Sequence, residues 1–349
     1  MDRREFLTST GVVAAASAGL TVPGSSSAAP TAPHIFSPTR RIRIALPRSI
    51  DTLSTGMAAR RLAHRLQGAL GDAFRVEVVS VPGLAVDTMR AGEADAYYGL
   101  EADLAPLHSA FSLFAGMPSG EHLDAKSAGA WLSVAGGAEL WNELSAVFGL
   151  RTFAAGHTGE GAGLYADKPI EDASQLKSMR VACRGLARDV VAMLGGTVVD
   201  IEESALTGAI YALGFDAAEP LGPAPTAVAQ WRYEPGLMIG GMTLSLGFAA
   251  EVFARLSRQE QVIVEAVAAE AQAHSHAIAL LEQQSLRHVA AMRRWPASTR
   301  VPRRLDADLI AASHAVADRI AATDPLADRI VTSHRQFRAA FGGDGGSIA

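Results

Sequence analysis

Apolar and polar residues alternate with a period of two in short runs separated by helical spacing. Arg41–Leu46 (RIRIAL) and Phe74–Ser80 (FRVEVVS) alternate, as half-buried strands do. Between them, Met57, Leu62 and Leu66 recur at helical spacing behind a cap at Ser49 to Thr52. A short helix over Asp87–Met89 and a turn at Gly92 lead to a third strand, Ala94–Tyr98. Phe111–Gly120 reads as a buried loop, and Trp131, Leu140, Trp141 and Leu144 mark helix within Ala128–Leu150, a setting in which tryptophans are core. A strand at Arg151–Ala155 opens onto the glycine-rich Gly156–Gly163. Leu176–Pro223 then gives strand (Met179–Cys183), helix (187–194), strand (Thr197–Asp200), a second helix and a Gly-Phe-Asp-Ala-Ala-Glu turn. Ala227–Pro235 predicts a helix and Leu237–Phe248 a strand-rich return. Ser257 and Glu260 form a capping box for a helix over Arg258–Met292, with Val262, Ile263, Ala266, Val267, Ala271, Ile278, Leu281 and Leu286 on its apolar face. Helices over 306–322 and 328–341 close the chain.

Strands alternating with helices predict an α/β fold with parallel sheets, in which ligands bind at the carboxyl ends of the strands. Arg180 falls within the first strand of the 176–223 stretch. A guanidinium in such a place needs a carboxylate, because an unpaired buried charge is very costly. That partner is either an acid of the protein or a bound organic acid.

Composition narrows the function classes. The 349 residues suffice for two domains, and 49% hydrophobic with 19% charged residues is globular usage. A net charge of −5 offers no polybasic face to nucleic acid. The one cysteine, Cys183, cannot form an internal disulfide, and no neighbouring histidine marks it as a nucleophile; it reads as a small buried strand residue. At the start, Arg3-Arg4-Glu5-Phe6-Leu7, an apolar run from Gly11 to Val22 and the small residues Ser25 to Ala29 make an export signal over residues 1–28. It is similar to the twin-arginine pattern, which implies a periplasmic protein that folds before it crosses.

The order L-K-x-M-R-V (176–181), L-G-G-T (194–197), G-A-I-Y-A-L (208–213), G-x-D-A-x-E (214–219) and G-P (222–223) resembles the solute-binding proteins of tripartite ATP-independent periplasmic (TRAP) transporters. A-W-L (130–132) and G-G-x-E-L-W (136–141) are similar to the branch that binds 2-oxo acids. The resemblance implies a two-domain periplasmic-binding-protein fold with hinge strands and a long bracing helix. It implies a first lobe over 40–150, a second over 151–250, the bracing helix over 251–295 and C-terminal helices over 296–349. It further implies no enzymatic activity, an organic-acid ligand and TRAP membrane subunits as partners. Arg180 would pair with the solute carboxylate. Thr158 and Glu160 would face the solute from the glycine-rich segment, and Tyr97 and Tyr98 from the end of the third strand, although both tyrosines also suit strand packing. The last helix is exchanged between protomers in that branch, which implies a homodimer.

The branch holds its solute with a cation bound by oxygen ligands. At the corresponding positions stand Gly161, Glu219 and Ile239, with Pro220 in place of an aromatic residue. We therefore expect no metal or other cofactor, and a roomier, more apolar pocket lined by Glu219, Pro220, Met238 and Ile239. An aromatic or branched carboxylate fits such a pocket better than pyruvate. His274 and His276 lie on different faces of the long helix and cannot chelate together, and His288 is remote. Two rivals share the cleft: a periplasmic sensor or scavenger, and a secreted hydrolase that uses Glu160 and Glu219 as paired carboxylates.

Overall fold

A computed structural model describes residues 39–47, 55–159, 164–166, 168–199, 211–213, 231–292 and 297–341. The expected export signal, Glu160, Glu219 and Pro220 lie outside these residues.

The predicted β-α-β-α-β start is present. Strands β1 (Arg40–Leu46), β2 (Phe74–Ser80) and β3 (Ala96–Leu100) pair in parallel, β1 in the middle. Ile42 and Ile44 point into the core, as the alternation of β1 requires. Helix α1 (Thr55–Leu70) buries Ala59, Leu62, Ala63 and Leu66, whereas Met57, expected on that face, is exposed. A short helix, α2 (Ala85–Arg90), precedes β3.

Beyond β3, the expected buried loop contains a one-turn helix, α3 (Phe111–Ala115), all five residues of which are buried. The expected 128–150 helix is two helices, α4 (Ala125–Val134) and α5 (Gly137–Val147). They part at Gly136, whose φ of +86° suits a residue without Cβ. Phe114 stacks between Trp131 (5.6 Å) and Trp141 (5.2 Å), so both tryptophans are core.

Two strands assigned by the sequence to the second lobe belong to the first sheet. β4 (Leu150–His157) and β10 (Thr243–Ala249) pair antiparallel with each other, and β10 pairs antiparallel with β3. The order is β2-β1-β3-β10-β4. The second sheet contains β5 (Leu164–Ala166), β6 (Arg180–Ala182), β7 (Thr197–Val199), β8 (Tyr211–Leu213), β9 (Trp231–Glu234) and β11 (Ser298–Arg300), in the order β11-β9-β5-β8-β6-β7. β6 lies parallel to β7 and β8, with helix α6 (Ala187–Met193) between β6 and β7 in the chain. Residues 211–213 and 231–234 are strands where helices were expected. In β9 Trp231 and Tyr233 stack on one face (6.4 Å between rings), and pairing with β5 and β11 overrides a weak helical pattern.

A short helix, α7 (Ala250–Ala254), precedes α8 (Arg258–Met292), which has the predicted bounds. Its capping box forms: Ser257 N donates to Glu260 Oε2 (2.7 Å) and Glu260 N to Ser257 Oγ (3.3 Å). Arg40 Nη1 donates to both Glu260 oxygens, at 2.8 and 3.0 Å. Ser257→Ala is expected to cost about 1 kcal/mol, read as a shift in urea midpoint. The buried stripe of α8 is Val264, Val267, Ala268 and Ala271; Val262, Ala266, Ile278 and Leu281 are exposed. The helix turns this face to β4 and α1, with Arg61 paired to Glu270. Among the described residues, this part of the helix packs on the first sheet.

The tail helices are α9 (Arg303–Ala321) and α10 (Pro325–Phe341). α9 packs on α6 and on the 3-10 turn Ala173–Ser178, and α10 packs on α4 and α5 of its own chain. Arg329 bonds Glu143 bidentately (2.7 and 3.0 Å), and Trp131 Nε1 donates to Ser333 Oγ (3.2 Å).

Candidate functional site

The carboxyl ends of the parallel strands of the two sheets meet. After β3 the chain enters a 3-10 turn, Glu101–Leu104. After β6 it enters the loop Cys183–Leu186, where Gly185 has φ +55°. A Cβ on Gly185 would lie 3.4 Å from Met242 Sδ, 3.8 Å from Met238 Cε and 3.9 Å from Ala102 Cβ. The loop of the second sheet therefore lies beside the turn of the first and the 238–242 segment. Ligand sites form at such junctions.

Where the chain leaves β4 at Thr158 and where it returns to β10 through 235–242, the two segments are tied together beside the first sheet. Thr158 N donates to Met242 O and Met242 N donates to Thr158 Oγ1, each at 2.8 Å. Gly241, at φ +73°, lies so close that a Cβ there would sit 1.6 Å from Gly159 O. His157 N donates to Ser275 Oγ of α8 (2.8 Å), which fixes the end of β4.

Glu101, the first residue of the turn after β3, is fully buried. Tyr97 Oη reaches both its oxygens (2.8 and 3.0 Å), Trp141 Nε1 donates to Oε1 (2.6 Å), and Ser245 Oγ lies 2.6 Å from Oε2. Burial pushes its carboxyl up to about 7; the hydrogen bonds from Ser245, Trp141 and Tyr97 oppose the rise, and Asp103 adds to it. A carboxyl raised on folding stabilises below its unfolded value, near 4.5, and that contribution is lost as pH climbs through about 7. Stability should therefore fall from mildly acidic to mildly alkaline pH by roughly 2–3 kcal/mol. Glu101→Gln should remove most of that slope in urea unfolding.

No protein-family model matches the chain. A monocarboxylate 2-oxoacid-binding periplasmic protein of Nostoc is 27% identical over 289 residues, covering 78% of this chain and 76% of the relative. A TRAP periplasmic solute-binding protein of Pseudoalteromonas atlantica, solved with sodium and pyruvate, superposes with a TM-score of 0.78 at 18% identity; the match covers 86% of this chain and 94% of that one. The fold is that of the TRAP periplasmic solute-binding proteins. A Bordetella bronchiseptica TRAP solute-binding protein, solved with calcium and picolinate in one site of its dimer, gives 0.77 at 20% identity over 88% of this chain and 94% of that one.

Within this TRAP solute-binding fold, the expected site residues separate. Arg180 begins β6 at its amino end and is exposed, so it is not the buried strand charge that the pattern suggested. Tyr97 and Tyr98 are core: Tyr97 donates to Glu101, and Tyr98 Oη donates to Ala155 O (3.3 Å). Burial raises both phenols. Thr158 is buried and spends its hydroxyl on the crossing, accepting from Met242 N and donating to Gly159 O (3.2 Å). Met238 and Ile239 lie in the 238–242 segment, Met238 buried and Ile239 half-buried. Arg184, which the pattern did not single out, follows β6 at its carboxyl end, directly before Gly185. It is half-buried and already engaged within the protein. Cys183 is fully buried, and burial pushes its thiol up to about 12, which excludes a thiolate nucleophile at neutral pH.

The described histidines do not form a metal centre. His157 packs edge-on to His276 at 5.0 Å, and burial, with His276 adding, holds it down at about 3. No three His, Cys, Asp or Glu residues among the described residues come together to hold a metal ion. Of the positions that correspond to the branch's cation ligands, Gly161 and Glu219 lie outside the described residues, and the Ile239 side chain offers no oxygen. A cavity of about 20 Å³ beside His157 and His334 has room for about one water, too little for an organic acid.

Proposed function

We propose that this protein is an extracytoplasmic receptor that captures a small organic acid between its two sheets and delivers it to a TRAP-type membrane permease. The observation that carries this reading is the meeting of the Arg184–Gly185 loop with Ala102, Met238 and Met242 at the facing strand ends. An arginine there receives the carboxylate through its planar fork of donors. The apolar methionines and Ile239 accept the rest of the solute and favour an aromatic or branched acid. TRAP solute-binding neighbours solved with pyruvate, picolinate and malonate support the carboxylate class. Differential contacts from the two lobes drive closure, since a ligand shifts an equilibrium only by its preference for one state. No reaction is catalysed, and no metal is required. The twin-arginine-like signal supports export to the periplasm, and no helix among the described residues is long and apolar enough to cross a membrane.

A thermal-shift screen of the mature chain against carboxylates tests this, because ligands that bind the folded state raise the melting temperature. Aromatic and branched acids should shift it more than pyruvate, equally with and without a chelator. A chain that responds to no carboxylate would overturn the reading, and a response abolished by chelator would overturn its metal-free form.

A further inference from the structure

Glu101 has contacts that its mere burial does not require. Ser245 Oγ lies 2.6 Å from Glu101 Oε2 and 3.1 Å from Gly99 O. A hydroxyl carries one hydrogen. If Glu101 is ionised, that hydrogen serves either the carboxylate or Gly99 O, and one contact goes unmade. If Glu101 is neutral, its own O–H donates to Ser245 Oγ and the serine donates onward to Gly99 O. Tyr97 and Trp141 then both donate to Oε1, at 3.0 and 2.6 Å. Tyr97, with one hydrogen for Oε1 (3.0 Å) and Oε2 (2.8 Å), leaves one of its two contacts unfilled in either form, so the neutral form fills one contact more than the ionised form, the one from Ser245 to Gly99 O.

The surroundings add no counter-charge. The turn packs against β3, β10 and α3. Of these, β3 presents Tyr97, β10 presents Ser245, and α3 (FSLFA) carries no titratable group. α5 presents the Trp141 indole. The turn itself brings Asp103, whose negative charge opposes ionisation of Glu101. Among the described residues, no cation bonds the Glu101 carboxylate. Ionisation there is relieved by admitting water, which the packing of the turn opposes.

The next residue, Ala102, is the one that meets the Gly185 loop. We propose that Glu101 is a proton-operated latch on the cleft: neutral, it locks the turn against which the Arg184–Gly185 loop closes, and on losing its proton it loosens that turn and weakens solute binding. The second half of this rests on the solute-receptor reading; the first does not. Because closure needs the locked turn, the closed state holds the proton more tightly. Linkage then requires that binding the solute takes up a proton above neutral pH.

The test begins without any solute. Trp141 donates directly to Glu101, so its indole N–H resonance, assigned with Trp141→Phe, reports the titration. In wild type it should move with a midpoint between about pH 6 and pH 8, and in Glu101→Gln it should stay flat. Over the same range, hydrogen-exchange protection of segments 99–104 and 183–186 should fall in wild type beyond the intrinsic pH effect, but not in the variant. Pyruvate and the strongest acid of the thermal-shift screen are then titrated. Affinity should drop at least about fivefold between pH 6 and pH 8.5 in wild type and stay level in Glu101→Gln, within the limit of tenfold per pH unit for one proton. A static indole signal in wild type, or a titration with unchanged protection, overturns the latch using the unmodified protein alone. A latch that titrates and loosens while affinity stays pH-independent overturns its coupling to the cleft. If no acid binds at any pH, the receptor reading fails, and the solute-free measurements still decide the latch.

Discussion

Arg184→Ala should abolish the thermal shift produced by a carboxylate ligand, whereas Arg180→Ala should leave most of it. The two arginines are four residues apart but occupy opposite ends of β6. Arg184 precedes the glycine that meets Ala102, Met238 and Met242, and Arg180 opens the strand from an exposed position. Removing one partner of a desolvated charge pair costs about 2–5 kcal/mol of affinity, and removing an exposed charge at the far end of the strand costs little. Because Arg184 is already engaged within the protein, the incoming carboxylate joins or displaces an existing contact. Arg184→Lys should recover only part of the affinity, since an ammonium cannot present the bidentate fork. Titration calorimetry of both alanine variants with the best acid of the screen separates the alternatives. Equal losses would place neither arginine alone in the role, and a loss confined to Arg180→Ala would restore the assignment read from the sequence.

Gly241→Ala should prevent stable folding or lower stability by about 4 kcal/mol or more, among the largest effects a single substitution produces. Two independent constraints act at this residue. Its φ of +73° disfavours any side chain, and a Cβ would sit 1.6 Å from the Gly159 carbonyl oxygen and 2.8 Å from His157 Cε1. Both neighbours are pinned: Gly159 N donates to His157 Nδ1 (3.0 Å), and His157 is tied to Ser275. Gly136→Ala offers the control, since its φ is also positive (+86°) but nothing lies within 4 Å of its Cβ position. It should cost about 1 kcal/mol, and comparing the two by urea unfolding isolates the clash from the backbone strain.

Much of the fold was legible because its signals are local. The alternation in β1 and β2 and the Ser257–Glu260 box specify their elements without outside help, and α8 has the expected ends. β8 and β9 were not legible, because three- and four-residue strands owe their form to the strands beside them. The sheet membership of β4 and β10 was hidden for a similar reason: a crossing of the chain between sheets leaves no periodicity. At the site, the Leu176–Val181 pattern singled out Arg180 within the strand and left out Arg184, the arginine beyond it on which the proposed reading rests. The rule that ligands sit at carboxyl ends already favoured Arg184. Glu101 carried a faint mark, a single acid directly after an apolar strand. Its partners Trp141 and Ser245 are 40 and 144 residues away in the chain, so no local pattern could assemble them.

The last two helices bear on how far the molecule can open. α9 rests on α6 and the Ala173–Ser178 turn, on the side of the second sheet, while α10 rests on α4 and α5, on the side of the first. Glu121, between α3 and α4, grips both helices, accepting from His314 at 2.7 Å and from Arg335 Nε at 2.7 Å. The pair is thus a tether in parallel with the covalent crossings of the chain between the sheets. The limit on how far the two sheets can part is then set by the last two helices of the chain.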